Sequence, residues 1–287
     1  MIALVAFLVL VLAVVATASL RPYSNASTRT RTAEQTTPEP TLSKPIARPE
    51  PIRTTAPTPT PPPASAPAPE PSKTLPEKMA KLPSGTQQLV VITGAKLGSN
   101  SGTLAVFNKQ NGRWVSVLEA VTANFGKNGL IDGTKRQTGN LETPTGIWTM
   151  GDFLFGLHSS APAGTRMPYK PITSGSYWSS ERDATYNSWV DHKVSGEHLI
   201  DADPQYEYAC NTGYNSLPNE RVIGRGTAIF IHCFEPPDNA LGKYTQGCVA
   251  ISSDNMVRLF GILDPKRKPT CAIGTLDAGS PTSIWAY

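Results

Sequence analysis

Apolar and polar positions divide the chain into three regimes. Residues 2–20 form an uncharged, almost wholly aliphatic run, long enough as a helix to cross a hydrocarbon core of roughly 30 Å. Residues 21–83 show neither the helical nor the strand period. From Ser84 onward, short apolar runs alternate with Gly, Pro, Asn and Ser, which reads as strands punctuated by turns. Gln88–Thr93 is such a run. Thr103–Asn108 and Trp114–Val121 flank Asn111-Gly112, the pair a tight hairpin favours because both turn positions take positive φ. Gly146–Met150, Ala228–Phe234 and Thr270–Gly274 complete the predicted strands. One stretch has the helical period: Met256, Leu259, Phe260 and Leu263 share a face, Ser252 or Ser253 caps it, and Pro265 ends it. The expectation is a mainly β domain over 84–287 with one or two short helices, preceded by an apolar N-terminal helix (1–20) and a disordered Pro-rich linker (21–83).

Composition explains the middle regime. Fifteen of the 27 prolines lie between Pro38 and Pro83, where fixed φ, missing amide donors and few apolar side chains leave no core to build. The expected product is an extended tether. For the apolar run two readings stand, an uncleaved membrane anchor and a signal peptide cut near Ala16-Thr-Ala18. Both place the chain outside the cytoplasm. Charge follows the same boundary. The chain holds 26 Lys+Arg against 22 Asp+Glu, of which 9 and 5 precede residue 84, so the net +4 belongs to the tether and the remaining 17 and 17 cancel. A neutral folded part lacks the electrostatic footprint of nucleic-acid binding.

The segment from Asp152 to Arg225 is weakly patterned and aromatic. It reads equally as packing over one sheet face or as a loop-rich lid over a pocket. Four cysteines, Cys210, Cys233, Cys248 and Cys271, form no C-x-x-C pair, and the histidines show no ligand spacing with them, so neither a metal nor another cofactor is expected. Export allows a disulfide, with Cys210–Cys271 or Cys210–Cys233 as the pairings left open.

The chemistry concentrates between Ala228 and Ser252. An apolar run delivers His232, a loop follows, and Cys248 stands directly behind Gly247, sixteen positions after the histidine. A thiol becomes a nucleophile when an imidazole takes its proton, giving a thiolate–imidazolium pair. Gly247 allows close backbone approach to a substrate, and the amides of Gly247 and Cys248 are placed to donate to an oxyanion. Cys233, next to His232 on a strand, points to the opposite face.

These residues resemble the L,D-transpeptidase (YkuD-type) catalytic domain, whose signature is a histidine, 14 to 17 residues, then Ser/Thr-x-Gly-Cys and an apolar residue. Here that is His232 followed by Thr245-Gln246-Gly247-Cys248-Val249. The likeness extends to Lys135-Arg136-Gln-Thr-Gly, Glu142-Thr-Pro-Thr-Gly-Ile-Trp, Tyr186-Asn187, Trp189 and Tyr214-Asn215. Many members carry His two places before the cysteine and Arg or Asn two places after; this chain has Gln246 and Ala250. The resemblance implies β-sandwich or mixed sheets and a cysteine-dependent acyltransferase that acts on peptidoglycan stem peptides. Cys248 would be the nucleophile and His232 its base and acid. Thr245, Gln246, Arg136, Tyr214 and Asn215 are candidate substrate contacts, Arg136 toward a carboxylate. It implies 3→3 cross-links if an amine accepts the acyl group, L,D-carboxypeptidase action if water does, and acylation by carbapenem β-lactams. A tethered, non-catalytic wall-binding module is the competing reading. Papain-like and NlpC-type peptidases place the cysteine before the histidine, the reverse of this order.

Overall fold

The computed structural model describes residues 74–234 and 244–287. The apolar run 1–20 and nearly all of the tether 21–83 lie outside the described residues. The strands are β1 (Gln88–Gly94), β2 (Ser101–Gln110), β3 (Arg113–Asn124), β4 (Leu130–Asp132), β5 (Thr143–Thr149), β6 (Leu154–Gly156) and β7 (Tyr169–Pro171). They continue as β8 (Tyr177–Ser179), β9 (Trp189–Val190), β10 (Gly196–His198), β11 (Ala209–Asn211), β12 (Phe230–Cys233), β13 (Val249–Ile251) and, after helix α1 (Ser253–Ile262), β14 (Pro269–Thr275). Among the described residues, eleven strands join one mixed sheet in the order β4-β5-β14-β1-β2-β3-β13-β12-β11-β6-β7. A second sheet, β10-β8-β9, has three strands.

Local chemistry accounts for the long strands. β1 and β14 lie side by side in parallel and are buried at every residue, as continuous apolar runs in central strands should be. The β2–β3 hairpin turns at Asn111 and Gly112, whose φ of 50° and 80° fit the tight turn the sequence predicts. Helix α1 also forms as read. Ser252 caps it by accepting from the Asn255 amide at 3.4 Å, and Met256, Leu259, Phe260 and Leu263 are fully buried. They pack with Ile231, Cys233, Val249 and Ile251 in one apolar cluster.

Three expectations change. The predicted strand at Ala228 begins at Phe230 instead, because Ala228 is left-handed at φ 55° and no such residue continues a ladder. None of the cysteines is bridged; all four are free and buried. Cys210 faces Ile231 across β11–β12, which makes Cys233 its diagonal neighbour, beyond the Cβ separation a disulfide needs. The described residues also include some that composition assigns to the tether. Leu75–Lys78 form a 3-10 turn, and Met79 packs with Leu89, Val91, Phe107 and Trp114.

The segment 152–225 packs over one sheet face and also lines cavities. Phe155, Trp178, Tyr206 and Phe230 form an aromatic cluster on the face of β12 away from α1. The same segment supplies Ser180, Arg182 and Glu197 to cavity walls near Cys248.

Candidate active site

β12 and β13 run parallel with Ile231 opposite Val249 and His232 opposite Ala250. Side chains alternate along both strands, so the register sorts the residues into two faces. Ile231, Cys233, Val249 and Ile251 point to the α1 side, while Phe230 and Cys248 join the aromatic cluster. His232 follows Phe230 on that second face and packs edge-on against Tyr206, ring centroids 5.6 Å apart. The fold therefore brings His232 and Cys248 to one face of adjacent strands and sends Cys233 to the other, as alternation predicts.

The thiol sits in a polar cradle of backbone. Phe230 N–H donates to Cys248 Sγ at 3.4 Å, and the thiol donates to the Ala228 carbonyl at 3.2 Å. Ala228 is held in its left-handed conformation by Asn187, whose Oδ1 accepts from the Ala228 amide at 2.9 Å and from Trp178 Nε1 at 2.6 Å. Asn187 Nδ2 donates to the carbonyls of Tyr214 and Asn215. One buried asparagine thus ties the segment before β12 to the second sheet.

The imidazole is equally fixed. His232 Nδ1 lies 2.8 Å from the Cys233 carbonyl. A carbonyl only accepts, so Nδ1 carries the hydrogen and the neutral ring presents its lone pair at Nε2. A main-chain carbonyl is the third group that orients this histidine. Burial pushes His232 down to about 4, partly offset by that hydrogen bond. Burial pushes the Cys248 thiol up to about 12; the Glu197 carboxylate adds to the rise, and the Phe230 amide and Arg136 oppose it. Burial of both groups opposes the expected thiolate–imidazolium pair, because desolvation disfavours each charge.

Around the pair, the loop residues divide by task. Thr245 Oγ1 donates to the Cys248 carbonyl at 2.7 Å and accepts from the Gly247 amide at 3.0 Å. Gly247 N–H, expected to face an oxyanion, is already taken, and the Cys248 amide is the member of that expected pair left for the role. Gly247 takes φ 134°, and a Cβ there would stand 2.9 Å from Arg136 Nη2 and from the Glu142 carbonyl. Its positive φ and the close approach of Arg136 and the Glu142 carbonyl both require glycine at this position beside Cys248.

Arg136 is buried, 4% exposed. Its Nε donates to the Glu142 carbonyl at 3.0 Å and Nη1 to the Arg225 carbonyl at 2.8 Å, with the guanidinium over the Tyr214 ring. Tyr214 and Asn215 do not reach the thiol. Tyr214 Oη lies 3.0 Å from the carbonyls of Gly133 and Arg225, which share its one hydrogen; Asn215 Nδ2 donates to those of Val222 and Gly226. Both clamp the 222–226 loop that backs Arg136. Gln246 is exposed and borders the cavities on both sides of the site.

Those two cavities flank the centre. One, of about 560 Å³, is lined by Cys248, Arg136, Glu197, Tyr206 and Ala228; the other, of about 120 Å³, by His232, Asn124, Lys127, Tyr244 and Ala250. A cleft of about 900 Å³ shares Arg136, Thr138 and Ser180 with the first and adds Lys135, Arg182 and Arg225, with no acidic side chain on its walls. Glu197 and Tyr206 had no signal in the sequence beyond residue type. Tyr206 is buried and donates its hydroxyl to Glu197 Oε1, and burial raises the Glu197 carboxyl. Among the described residues, no cluster of His, Cys, Asp and Glu has the arrangement of a metal site.

The family model of the L,D-transpeptidase catalytic domain, YkuD, matches residues 99–270, more than half of the chain. The chain belongs to that family. The match spans His232, Cys248 and the Arg136 segment, and leaves β1 and the C-terminal 3-10 turn outside it. No curated protein matches the chain. Among solved structures, a mutant of the helical cell shape determining protein Pgp2 from Campylobacter jejuni is similar, with 16% identity, TM-score 0.34, and coverage of 66% of this chain and 48% of that one. The chain spans about half the length of that relative.

Proposed function

We propose that this YkuD-family protein is an L,D-transpeptidase that forms 3→3 cross-links in peptidoglycan through a Cys248 thioester, with His232 as base and acid. The observation that carries the reading is the fixed tautomer of His232, Nδ1–H on the Cys233 carbonyl and a free lone pair at Nε2, on the same strand-pair face as a thiol that borders a cavity. The thiol leaves the Ala228 carbonyl, passes its proton to Nε2, and Sγ attacks the carbonyl carbon of the third stem residue. Proton transfer accompanies attack, because neither separate ion is stable in this buried site. The tetrahedral oxyanion takes the Cys248 amide. The bond to the terminal D-alanine breaks, its nitrogen takes the proton from the imidazolium, and the acyl group stays on sulfur. An amine from a second stem then attacks from the His232 side, loses its proton to the imidazole and releases the thiol.

Electrostatics fit a carboxylate-rich stem: the cleft beside the thiol cavity carries Lys135, Arg136, Arg182 and Arg225 and no acid. The apolar run and the Pro-rich segment suit an extracytoplasmic enzyme held at the membrane or released into the wall, with a tether spanning the distance to its substrate.

The test is intact-mass spectrometry of the full chain with a carbapenem, followed by product analysis with disaccharide-tetrapeptides. One adduct, absent from Cys248→Ala, with 3→3 dimers as product is the expected result. Tripeptide without dimer makes the enzyme a carboxypeptidase. A free thiol that never acylates leaves only a binding module.

A further inference from the structure

Three cavities follow one another to the thiol. The basic cleft shares Arg136, Thr138, Ser180 and Thr227 with the cavity that Cys248 lines. It shares Thr134, Val222 and Arg225 with a third cavity, of about 390 Å³. This third cavity differs in character from the cleft. Its walls carry one base, Arg225, and one acid, Glu220, so the charges balance, and Trp148 adds an aromatic ring. Asn215 and Asn219 line it too, but their amides are spent on main-chain carbonyls. Trp148 Nε1, the Glu220 carboxylate and the Arg225 guanidinium make no hydrogen bond among the described residues. Trp148 and Arg225 are half-buried and Glu220 is exposed. The indole is held in place: it meets the Tyr214 ring edge to face at 5.2 Å, and a Cβ on Gly146 would strike its Cζ2. A concave wall with one fixed aromatic and a few unspent polar groups is the usual make-up of a small-ligand site.

We infer that this third cavity seats a pyranose ring, an N-acetylhexosamine of the glycan strand that carries the donor stem. The inference rests on the acyl-transfer reading above and extends it from the peptide to the sugar. A pyranose has an apolar C–H face and a rim of hydroxyl and acetamido groups. The Trp148 ring suits the face, and its Nε1–H, the Glu220 carboxylate and the Arg225 guanidinium suit the rim. An anion is the poorer occupant, because Glu220 opposes it here while the neighbouring cleft, with no acid on its walls, attracts it. The spacing agrees. Tyr214 lies under the Arg136 guanidinium at 5.8 Å, and Arg136 stands beside Gly247. Two side chains therefore separate Trp148 from the loop of the nucleophile. Three extended residues cover about 10 Å, which takes a stem with its third residue on Cys248 back through the cleft and brings its sugar to Trp148.

The experiment is calorimetric titration of the full chain carrying Cys248→Ala, which binds without turnover. Two ligands share one stem: the free tetrapeptide and the disaccharide-tetrapeptide. The disaccharide-linked stem is expected to bind more tightly by about tenfold. Adding Trp148→Leu, which keeps apolar bulk against Tyr214 and removes the ring face and the N–H, is expected to cut that advantage to about twofold. Adding Glu220→Gln instead changes an exposed side chain that supports no packing, so it tests the site even if Trp148→Leu does not fold. It is expected to narrow the advantage by about threefold. Equal affinities for the two ligands, no binding by either, or an advantage that survives both substitutions overturns the inference. Carbapenem acylation of the unsubstituted chain reports separately on the nucleophile, so an adduct with equal affinities sinks the sugar site and spares the enzyme, and no adduct sinks the acyl-transfer reading.

Discussion

Cys233 and Cys248 sit on adjacent strands, and burial raises both thiols, Cys233 to about 11 and Cys248 to about 12. Burial therefore does not tell the two thiols apart. What separates them is the face. Cys233 packs under α1 among aliphatic side chains and bonds weakly to the Tyr208 carbonyl at 3.6 Å. Cys248 borders a cavity, shares its face with an imidazole of fixed tautomer, and has a guanidinium beside it. On the proposed acyl-transfer reading, Cys248 would act as a nucleophile through access and through partners poised for the transition state.

The largest break in this comparison comes from removing each thiol in turn. Cys248→Ala is expected to lower turnover by about 10⁴-fold or more and to change the unfolding midpoint little. Cys233→Ala is expected to keep turnover within about twofold and to cost about 1–2 kcal/mol of stability, the small cavity left under α1. Single-turnover kinetics and urea melts on both variants decide it. Loss of acylation in Cys233→Ala would end the division by face.

His232 sharpens the same point through pH. Its folded pKa, about 4, lies below the ordinary 6.5, so between these values the unfolded chain binds a proton that the folded chain refuses. The associated stability is fully present above about pH 6.5 and is lost as pH falls toward 4, a swing of about 3 kcal/mol. The acid limb of kcat/KM is expected to follow the same group and fall only near pH 4. A preformed thiolate–imidazolium pair would instead raise the histidine above its ordinary value and put a limb near neutrality or above. His232→Gln is expected to remove the pH-linked stability term and to lower turnover by about 10²–10⁴-fold. Urea melts at pH 7 and pH 4.5, beside a pH–rate profile, measure both.

Long elements with strong local codes were legible in the chain: the Asn111-Gly112 hairpin, the capped α1, the buried runs of β1 and β14, and the face of Cys233, opposite that of His232 by alternation. The strands from β6 to β11 were not, because two or three residues carry no period. Their positions are set by tertiary hydrogen bonds such as those of Asn187 and Asn215. Glu197 was illegible for the same reason. Nothing around Lys193-Val-Ser-Gly-Glu197 singles out this acid until β10 pairs with β8 and carries it to the cavity that Cys248 lines. Tyr214 and Asn215 are candidate substrate contacts through the family resemblance. Their hydrogen bonds are consumed in shaping a loop.

Asn187→Ala tests that tertiary code. It removes acceptors for Trp178 Nε1 and the Ala228 amide and donors to two carbonyls, all buried. The expected cost is about 3 kcal/mol, read by chemical denaturation. A fall in kcat beyond what unfolding explains is expected as well, because Ala228 loses the contact that holds its left-handed turn against the thiol. A variant that is destabilised with kcat intact would show that Ala228 keeps its geometry without Asn187.

The smallest effect expected is from Thr245→Val, which keeps shape and removes one hydroxyl. That hydroxyl donates to the Cys248 carbonyl and accepts from the Gly247 amide. The carbonyl keeps a second donor, Thr143 Oγ1 at 3.2 Å, so the loop stays closed and stability falls by only about 1 kcal/mol. The Gly247 amide, however, loses its partner. If the oxyanion is held by the Cys248 amide alone, the freed amide brings nothing and the loosened loop lowers kcat by about tenfold, equivalent to ~1.4 kcal/mol. That is the expected outcome, with KM nearly unchanged. A rise in kcat would mean that Gly247 N–H turns toward the oxyanion once Thr245 releases it, and that the hydroxyl holds the second donor in reserve until substrate arrives.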